Sequence, residues 1–518
     1  MRLNVCVQER VPMDSRPSIL FIALTQEEYV PSNVKRFGAR YAFDLMPHKH
    51  AILALIAWLR QNNCDGHYIR LHPGDTDARS KISEKIDETK PDAVGFSLVT
   101  EELHIHYRVI QWLKYKYKNL PVIVGGPHVS AEPKHTLQNF PLIDYVCIGE
   151  GEATLTEWLR KIHEGRSTLE MHAISGLAFK DLSGDVVINE SRPGFKDINI
   201  LPDPAFDLII DENFSRAVDT IFPLVSSYGC RFYCTFCGAD HGNYRHFTPQ
   251  RLAQQIQNAQ ENYGAKYFGI RDSTWPPSRK WLYEFIHEVS KRKLRFKFHF
   301  ETRAGILDED DFRMLKKIGL QAVAVGVESG DHGMLISMKK AITVDMAKRT
   351  FAALNNAGIL SIAFFMFGNY GENRDSVKNT IKVINDLNPA ILSISTMIPF
   401  PGTESFEHVP EKHKTWWMGM DGFPSICDFS VEELHRIRAD VHIRYPIRWE
   451  YLNEHVFRQG LPLVIRKICY NIFAVHLRRY LLGKSEQSGV FRFAIRLLKR
   501  ALNSNPTEMT DFKSENGY

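Results

Sequence analysis

Three cysteines are crowded into one short string, Cys230-Arg231-Phe232-Tyr233-Cys234-Thr235-Phe236-Cys237. The chain has 8 cysteines in 518 residues, and the other five (Cys6, Cys64, Cys147, Cys427, Cys469) are scattered singly. Chance would give that spacing in only about 0.002 of chains of this composition. Eight cysteines are too few for a disulfide scaffold in a chain this long. Thiolates are the usual ligands of iron–sulfur clusters. Three of them on a four-iron cluster leave one iron without a protein ligand, open to a substrate or cofactor. A zinc site is the alternative, because His241 completes a Cys3His set, but no second CxxC knuckle accompanies it. Three packed free cysteines are the bland reading.

Such a loop needs a scaffold. Six apolar runs read as strands: Pro223–Ser227, Tyr267–Asp272, Phe296–Thr302, Ala322–Glu328, Ser361–Phe367 and Leu392–Ile398. Helical periodicity fills gaps at Pro249–Tyr263, Glu309–Ile318, Val344–Ala357 and Arg374–Leu387. Six βα steps over 216–405 predict a partial (β/α)6 barrel of the TIM type, with its chemistry at the C-terminal ends of the strands. The cysteine loop follows the first of these strands, at that end.

Upstream, over 15–165, apolar strands again alternate with helices. The strands are Ser18–Thr25, Tyr68–Leu71, Asp92–Thr100, Pro121–Gly125 and Asp144–Gly149. The helices are His50–Gln61, Arg79–Lys90, Leu103–Lys118 and Thr154–His163. This pattern predicts a doubly wound, Rossmann-like α/β domain, which binds ligands beyond the carboxyl ends of its strands. The loops there carry Ser97, Thr100, Gly125-Gly126-Pro127-His128 and Gly149-Glu150-Gly151-Glu152. Their glycines let a backbone approach a large ligand closely. Residues 166–215 contain a hairpin signal at Ser183-Gly184 and the string Leu201-Pro202-Asp203-Pro204, and read as a linker. A mainly helical segment, 406–503, and a polar, disordered tail, 504–518, complete the chain.

Composition excludes several classes. Hydrophobic residues make up 44% and charged residues 24%, which rules out global disorder. The net charge of +5 is too small to argue for nucleic acid. The longest apolar run, Ala51–Leu59, is too short to cross a bilayer. Met1–Arg16 lacks a signal-peptide core, so a cytoplasmic location is expected. Basic character is local: 464–500 holds nine Lys or Arg against Glu486 alone. An amphipathic helix there would lie on an anionic membrane surface or pack on the barrel with a solvated basic face.

Further strings sit at the ends of the barrel strands. They are Gly269-Ile270-Arg271-Asp272, Glu301-Thr302-Arg303, Gly326-Val327-Glu328-Ser329-Gly330, Phe367-Gly368-Asn369-Tyr370-Gly371-Glu372 and Pro399-Phe400-Pro401-Gly402-Thr403. Taken singly, each is a turn or a surface pair. In this order behind the cysteine triplet, they resemble the radical S-adenosylmethionine (SAM) superfamily. Tyr370 stands where that family's G-x-P-G-E turn has proline. The resemblance implies a [4Fe-4S] cluster on Cys230, Cys234 and Cys237. It also implies SAM held by Phe236, Asp272, Arg303 and Glu328, with the arginine forked to the carboxylate.

The upstream loops, in the order Asp92-Ala93-Val94-Gly95-Phe96-Ser97, Val124-Gly125-Gly126-Pro127-His128 and Ile148-Gly149-Glu150-Gly151-Glu152, are similar to the cobalamin-binding domain preceding many radical SAM enzymes. Ser97, Thr100, Gly125, Gly126, Gly149 and Glu150 are the cobalamin contacts this implies. The D-x-H-x-x-G loop of classical cobalamin domains is absent after Thr25, and His128 reads as a loop histidine.

Together these resemblances imply a radical SAM enzyme that methylates an unactivated carbon of a biosynthetic substrate with cobalamin. A radical cyclase, oxidase or rearrangement enzyme is the alternative, as in the anaerobic Mg-protoporphyrin monomethyl ester cyclase. A non-catalytic zinc or iron–sulfur protein is the alternative of another class. The implied partners are a small-molecule or lipid-like substrate and an electron donor such as flavodoxin or ferredoxin, with no nucleic acid.

Overall fold

The computed structural model describes residues 15–24, 50–71, 75–165, 168–208, 221–418, 422–451 and 454–455. Two units part at His435, and the first holds both sheets described below. The second contributes the end of helix Val431–Arg444, and the Tyr445 and Tyr451 rings within it lie 5.1 Å apart.

The first sheet is built from β1 (Ser18–Leu24), β2 (Asp65–Leu71), β3 (Ala93–Ser97), β4 (Val122–Gly125), β5 (Tyr145–Cys147), β6 (Leu177–Lys180) and β7 (Val186–Ile188). Its order is β2-β1-β3-β4-β5-β6-β7. β1 to β5 run parallel, as expected of continuous apolar strands covered on both faces. The period-2 geometry of a strand divides β1 between two cores. Leu20, Ile22 and Leu24 face one cluster, while Ile19, Phe21 and Ala23 face the other.

Within the segment expected as a linker, 166–215, the described residues 168–208 carry regular structure. β6 pairs antiparallel with β5, and β7 with β6, so the hairpin extends the sheet. Asp181 Oδ1 closes its turn, accepting from the backbone N–H groups of Ser183 and Asp185. Beyond it, Ile198 and Leu201 pack on Phe247 of the barrel region. Ala205 N donates to Leu53 O at 3.0 Å, so this stretch is a fixed strap between the two sheets. The apolar contacts of Ile198 and Leu201 help fix it.

After a short strand, β8 (Ile221–Leu224), comes a two-residue pairing of β9 (Ser227–Tyr228) with β10 (Arg245–His246). β11 (Tyr267–Ile270), β12 (Lys297–Arg303), β13 (Leu320–Glu328), β14 (Leu360–Phe367) and β15 (Ile391–Thr396) complete the second sheet. Its order is β15-β14-β13-β12-β11-β8, all parallel. Among the described residues β15 does not pair with β8, so the barrel is partial. Local signals start its helices. Thr248 caps Pro249–Tyr263, Asp308 forms a capping box at Glu309–Lys317, and Asn373 does so at Arg374–Leu387.

No helix among the described residues is long and apolar enough to cross a membrane. The basic stretch 464–500 and the tail 504–518 lie outside the described residues.

Candidate active site

The cysteine loop is the tip of the β9–β10 pairing. Gly229, at φ +74°, precedes it, and a Cβ there would meet Asn243 O at 2.7 Å and Asp240 O at 2.8 Å. Only glycine lets the returning strand close this near. Cys230 N donates to Asp240 O, and Cys237 N to Cys234 O. Thr235, between the second and third cysteines, is gripped from both sides. Its N–H donates to Met338 O at 3.1 Å, and its carbonyl accepts from Ser405 N at 2.9 Å. The turn Pro399–Thr403 thus delivers a clamp on the cysteine loop.

Cys230 is buried, while Cys234 and Cys237 are half-buried. Burial pushes the Cys237 thiol up, and the neighbouring Cys234 and Cys230 push it the same way. Bound metal would reverse this by favouring the thiolate. Among the described residues no three His, Cys, Asp or Glu side chains are gathered to hold a single metal ion. His241 Nε2 faces the Cys237 carbonyl at 3.0 Å instead of the thiols.

Arg303, at the end of β12, is 5% exposed, and its guanidinium lies 3.7 Å from the centroid of the Phe232 ring. Burial pushes its pKa down, while Cys234, Cys230 and Glu328 push it up. Its Nε and Nη2 are buried without a hydrogen-bond partner. Two orphaned donors on one rigid fork beside the cysteines fit an incoming carboxylate.

Glu328 ends β13 at φ +68°, where the register against β14 shifts. A non-glycine residue there is strained, a feature that clusters at functional sites. Its Oε1 is 2.8 Å from Lys340 Nζ, with both side chains about nine-tenths buried. A Cβ on Gly326 would sit 2.6 Å from that oxygen, so this glycine makes room for the pair. Lys340 Nζ also stands 5.8 Å from the centroid of Phe236. Thus Phe236, Arg303, Glu328 and the cysteines share one neighbourhood, and Lys340 joins them. Sequence reading missed Lys340: it lies in a Met-Lys-Lys string, and only the fold turns it inward.

Asp272 is differently employed. It is buried at the end of β11 and accepts from Ser226 N, Ser226 Oγ and Ser227 Oγ at 2.5–2.8 Å. Burial pushes its pKa up to about 6 despite these donors. These bonds anchor the chain entering the cysteine loop. Glu372 is likewise inward. It accepts from the N–H groups of Gly368 and Asn369, and burial lifts it to about 7.

At the carboxyl ends of β3, β4 and β5 lies a cavity of about 300 Å3. Ser97, Gly125, Gly126, Gly149 and Glu150 all line it, together with His50, Cys147, Glu152 and Tyr228. Gly126 has φ +107°, and a Cβ there would be 2.6 Å from Leu98 O. The glycines keep side chains out of this wall, which fits a bulky flat ligand. Two expected contacts are occupied elsewhere. Thr100 Oγ1 pairs with His128 Nδ1 at 3.0 Å, and His128 packs edge-on against Trp417 at 4.7 Å. Burial pushes His128 down to about 4. Glu150 forms an ion pair with Arg245, whose Nη1 also donates to Phe195 O. That pair ties the cavity rim to β10, hence to the cysteine loop, and Arg245 was another residue the sequence did not mark.

Two family models divide the chain along these lines. Residues 41–159 match the B12 binding domain, and residues 224–384 match the radical SAM superfamily. The chain is a radical SAM enzyme with a B12-binding domain. An uncharacterised methyltransferase of Pyrococcus horikoshii is 25% identical over 398 residues, covering 75% of this chain and 86% of its own. The anaerobic magnesium-protoporphyrin IX monomethyl ester cyclase of Rubrivivax gelatinosus is 26% identical over 352 residues, covering 65% of this chain and 61% of its own. Among solved structures, the radical SAM methyltransferase TsrM of Kitasatospora setae, with cobalamin and a [4Fe-4S] cluster bound, superposes with a TM-score of 0.62. It is 19% identical, with 76% of this chain and 77% of that one covered, and the likeness is one of fold. A radical SAM domain works with a [4Fe-4S] cluster and SAM, and the B12-binding domain adds cobalamin.

Proposed function

We propose that this radical SAM enzyme transfers a methyl group, by way of cobalamin, to an unactivated carbon of a small or lipid-like biosynthetic substrate. The cofactors would supply the radical that removes the substrate hydrogen and the methyl group that replaces it. The chain's residues bind and orient them. Cys230, Cys234 and Cys237 would hold the cluster. Arg303 would fork the SAM carboxylate with Nε and Nη2, its two partnerless donors. Glu328, fixed by Lys340, would take the SAM amino or ribose group, and Phe236 would pack by the adenine. Ser97, Gly125, Gly126 and Gly149 would face cobalamin in the strand-end cavity.

The single observation that carries this reading is the buried Arg303 fork beside Cys230 and Cys234. A zinc-binding or electron-transfer loop has no use for a desolvated guanidinium with Nε and Nη2 left partnerless there. The methyltransferase relatives support methyl transfer, and the cyclase relative supports a radical cyclisation as the second reading. An electron donor such as flavodoxin or ferredoxin would reduce the cluster. The basic stretch 464–500 would make peripheral contact with an anionic membrane if the substrate is a lipid.

The test is anaerobic reconstitution with iron, sulfide and cobalamin, followed by reduction in the presence of methyl-labelled SAM. Formation of 5′-deoxyadenosine with label in a product supports the proposal. 5′-Deoxyadenosine without transferred label leaves a radical enzyme of the cyclase kind. Zinc in place of iron in oxygen-protected protein overturns it.

A further inference from the structure

Resting on the cofactor placement proposed above, we propose that Arg245 is a positioning residue: it locks the glycine-flanked wall of the strand-end cavity to the base of the cysteine loop, and so sets cobalamin against the cluster. Methyl transfer needs the two cofactors in one fixed relation, because a misplacement of about 1 Å between reacting groups can cost about a hundredfold in rate. The wall by itself is weakly braced. Glu150 stands between Gly149, at φ +75°, and Gly151, and all three line the cavity. Glycine on both sides leaves this backbone more conformational freedom than other residues would.

Arg245 supplies the brace from β10. Its Nη1 donates to Glu150 Oε2 at 3.1 Å, and its Nη2 donates to Glu150 Oε1. Nη1 also donates to Phe195 O at 2.7 Å, and Phe195 N donates to Glu150 Oε2 at 3.3 Å. Nε donates to Asn243 O at 3.1 Å. Every guanidinium nitrogen is thus engaged, and the Arg245 and Glu150 side chains are only 10% and 23% exposed, so solvent screens the pair weakly. The strap is shaped around it. A Cβ on Gly194 would sit 2.6 Å from both Arg245 Nη1 and Glu150 Oε2, so a side chain there would push the pair apart. With both oxygens taken, Glu150 serves the cavity as an anchored wall.

The same arginine reaches the cysteines through the backbone. Arg245 pairs across the ladder with Tyr228, which lines the cavity and has its ring centroid 6.0 Å from the guanidinium. Asn243 O, which accepts from Nε, is the atom against which Gly229 closes. On the same returning stretch, Asp240 O accepts from Cys230 N at 2.9 Å. One side chain therefore joins the cavity wall, the strap and the backbone that carries the first cysteine. A planar fork with donors on three sides can do this, and a point ammonium cannot.

The test uses the full-length protein with its cluster reconstituted anaerobically and hydroxocobalamin as the titrant, read by absorbance. Arg245→Gln and Glu150→Gln should each weaken cobalamin binding about tenfold, the order of one residue's backbone freedom, with cluster iron unchanged. The double variant should lose no more than either single variant, because both remove the same link. After dithionite reduction to cobalt(II) and a paramagnetic cluster, electron paramagnetic resonance should show one uniform magnetic interaction between them in the wild type and a spread of interactions in the variants. Gly194→Ala, which keeps both charges and forces them apart, should give the same two changes and serves if the charge variants do not fold. Losses that multiply to about a hundredfold in the double variant would mean that Glu150 touches cobalamin itself. Unaltered affinity or an unaltered magnetic interaction in the single variants would mean that the pair only holds the fold. Either result overturns the proposal while the cofactor placement stands. Failure of the wild type to bind cobalamin would overturn both.

Discussion

Lys340 Nζ lies 2.8 Å from Glu328 Oε1, and the two charges share a site closed to solvent. Removing one partner of such a pair leaves the other buried and uncompensated, at a cost of about 3–5 kcal/mol. Lys340→Met is therefore expected to lower stability by about that amount in chemical denaturation. The double variant Lys340→Met/Glu328→Gln should recover much of it, because the stranded charge is gone. A single variant as stable as wild type would show that the pair is not buried in solution.

Arg303→Gln should weaken SAM binding to the reconstituted protein by about a hundredfold, since charge-assisted hydrogen bonds contribute about 1.5–3 kcal/mol. Arg303→Lys should not rescue it, because a point ammonium cannot reproduce the planar fork. Equilibrium dialysis with the cluster in place measures both. Full rescue by lysine would mean that only charge matters at this position.

Cys234→Ala should abolish 5′-deoxyadenosine formation while leaving the circular dichroism of the chain largely intact. The loop keeps its backbone anchors at Asp240, Met338 and Ser405, none of which uses a cysteine side chain. Normal SAM cleavage by this variant would refute the cluster assignment.

Gly126→Ala places a Cβ 2.6 Å from Leu98 O at φ +107°. Strain of this kind costs about 1–3 kcal/mol. The β4 loop must shift to relieve it, so cobalamin affinity is expected to fall. Absorbance titration reads the loss, and unaltered affinity would place the cofactor away from this loop.

Glu372 provides a pH test. Burial raises its pKa from the ordinary 4.5 to about 7, so the folded state holds the proton more tightly than the unfolded state. The stability this contributes is complete below about 4.5 and lost as pH rises through about 7. Relative to wild type, Glu372→Gln should therefore gain stability as pH increases across that window. Parallel stability curves for the two proteins would contradict the burial argument.

Strand positions were legible because parallel strands buried on both faces read as unbroken apolar runs. β13 is such a case, and it begins at Leu320, two residues before the expected strand Ala322–Glu328. The hairpin of β6 and β7 was legible around its Ser183-Gly184 turn, but its pairing with β5 was not, because β5 is distant in sequence. The site divided in the same way. Cysteine spacing and glycine turns are local, and so is the arginine that ends a strand. The partners that decide a side chain's work are not local: Lys340 for Glu328, Arg245 for Glu150, and the two serines for Asp272. The pair Trp416-Trp417 read as either lining a pocket or packing in a core; Trp417 takes its place in the core of the first domain, against His128 and Phe140.

The grip on Thr235 has a consequence for the life of the enzyme. Because main-chain bonds to Met338 and Ser405 hold the loop in shape, little chain entropy remains to be lost when iron and sulfide arrive. A protein stripped by oxygen would present an empty mould to the assembly machinery, ready for repair without unfolding.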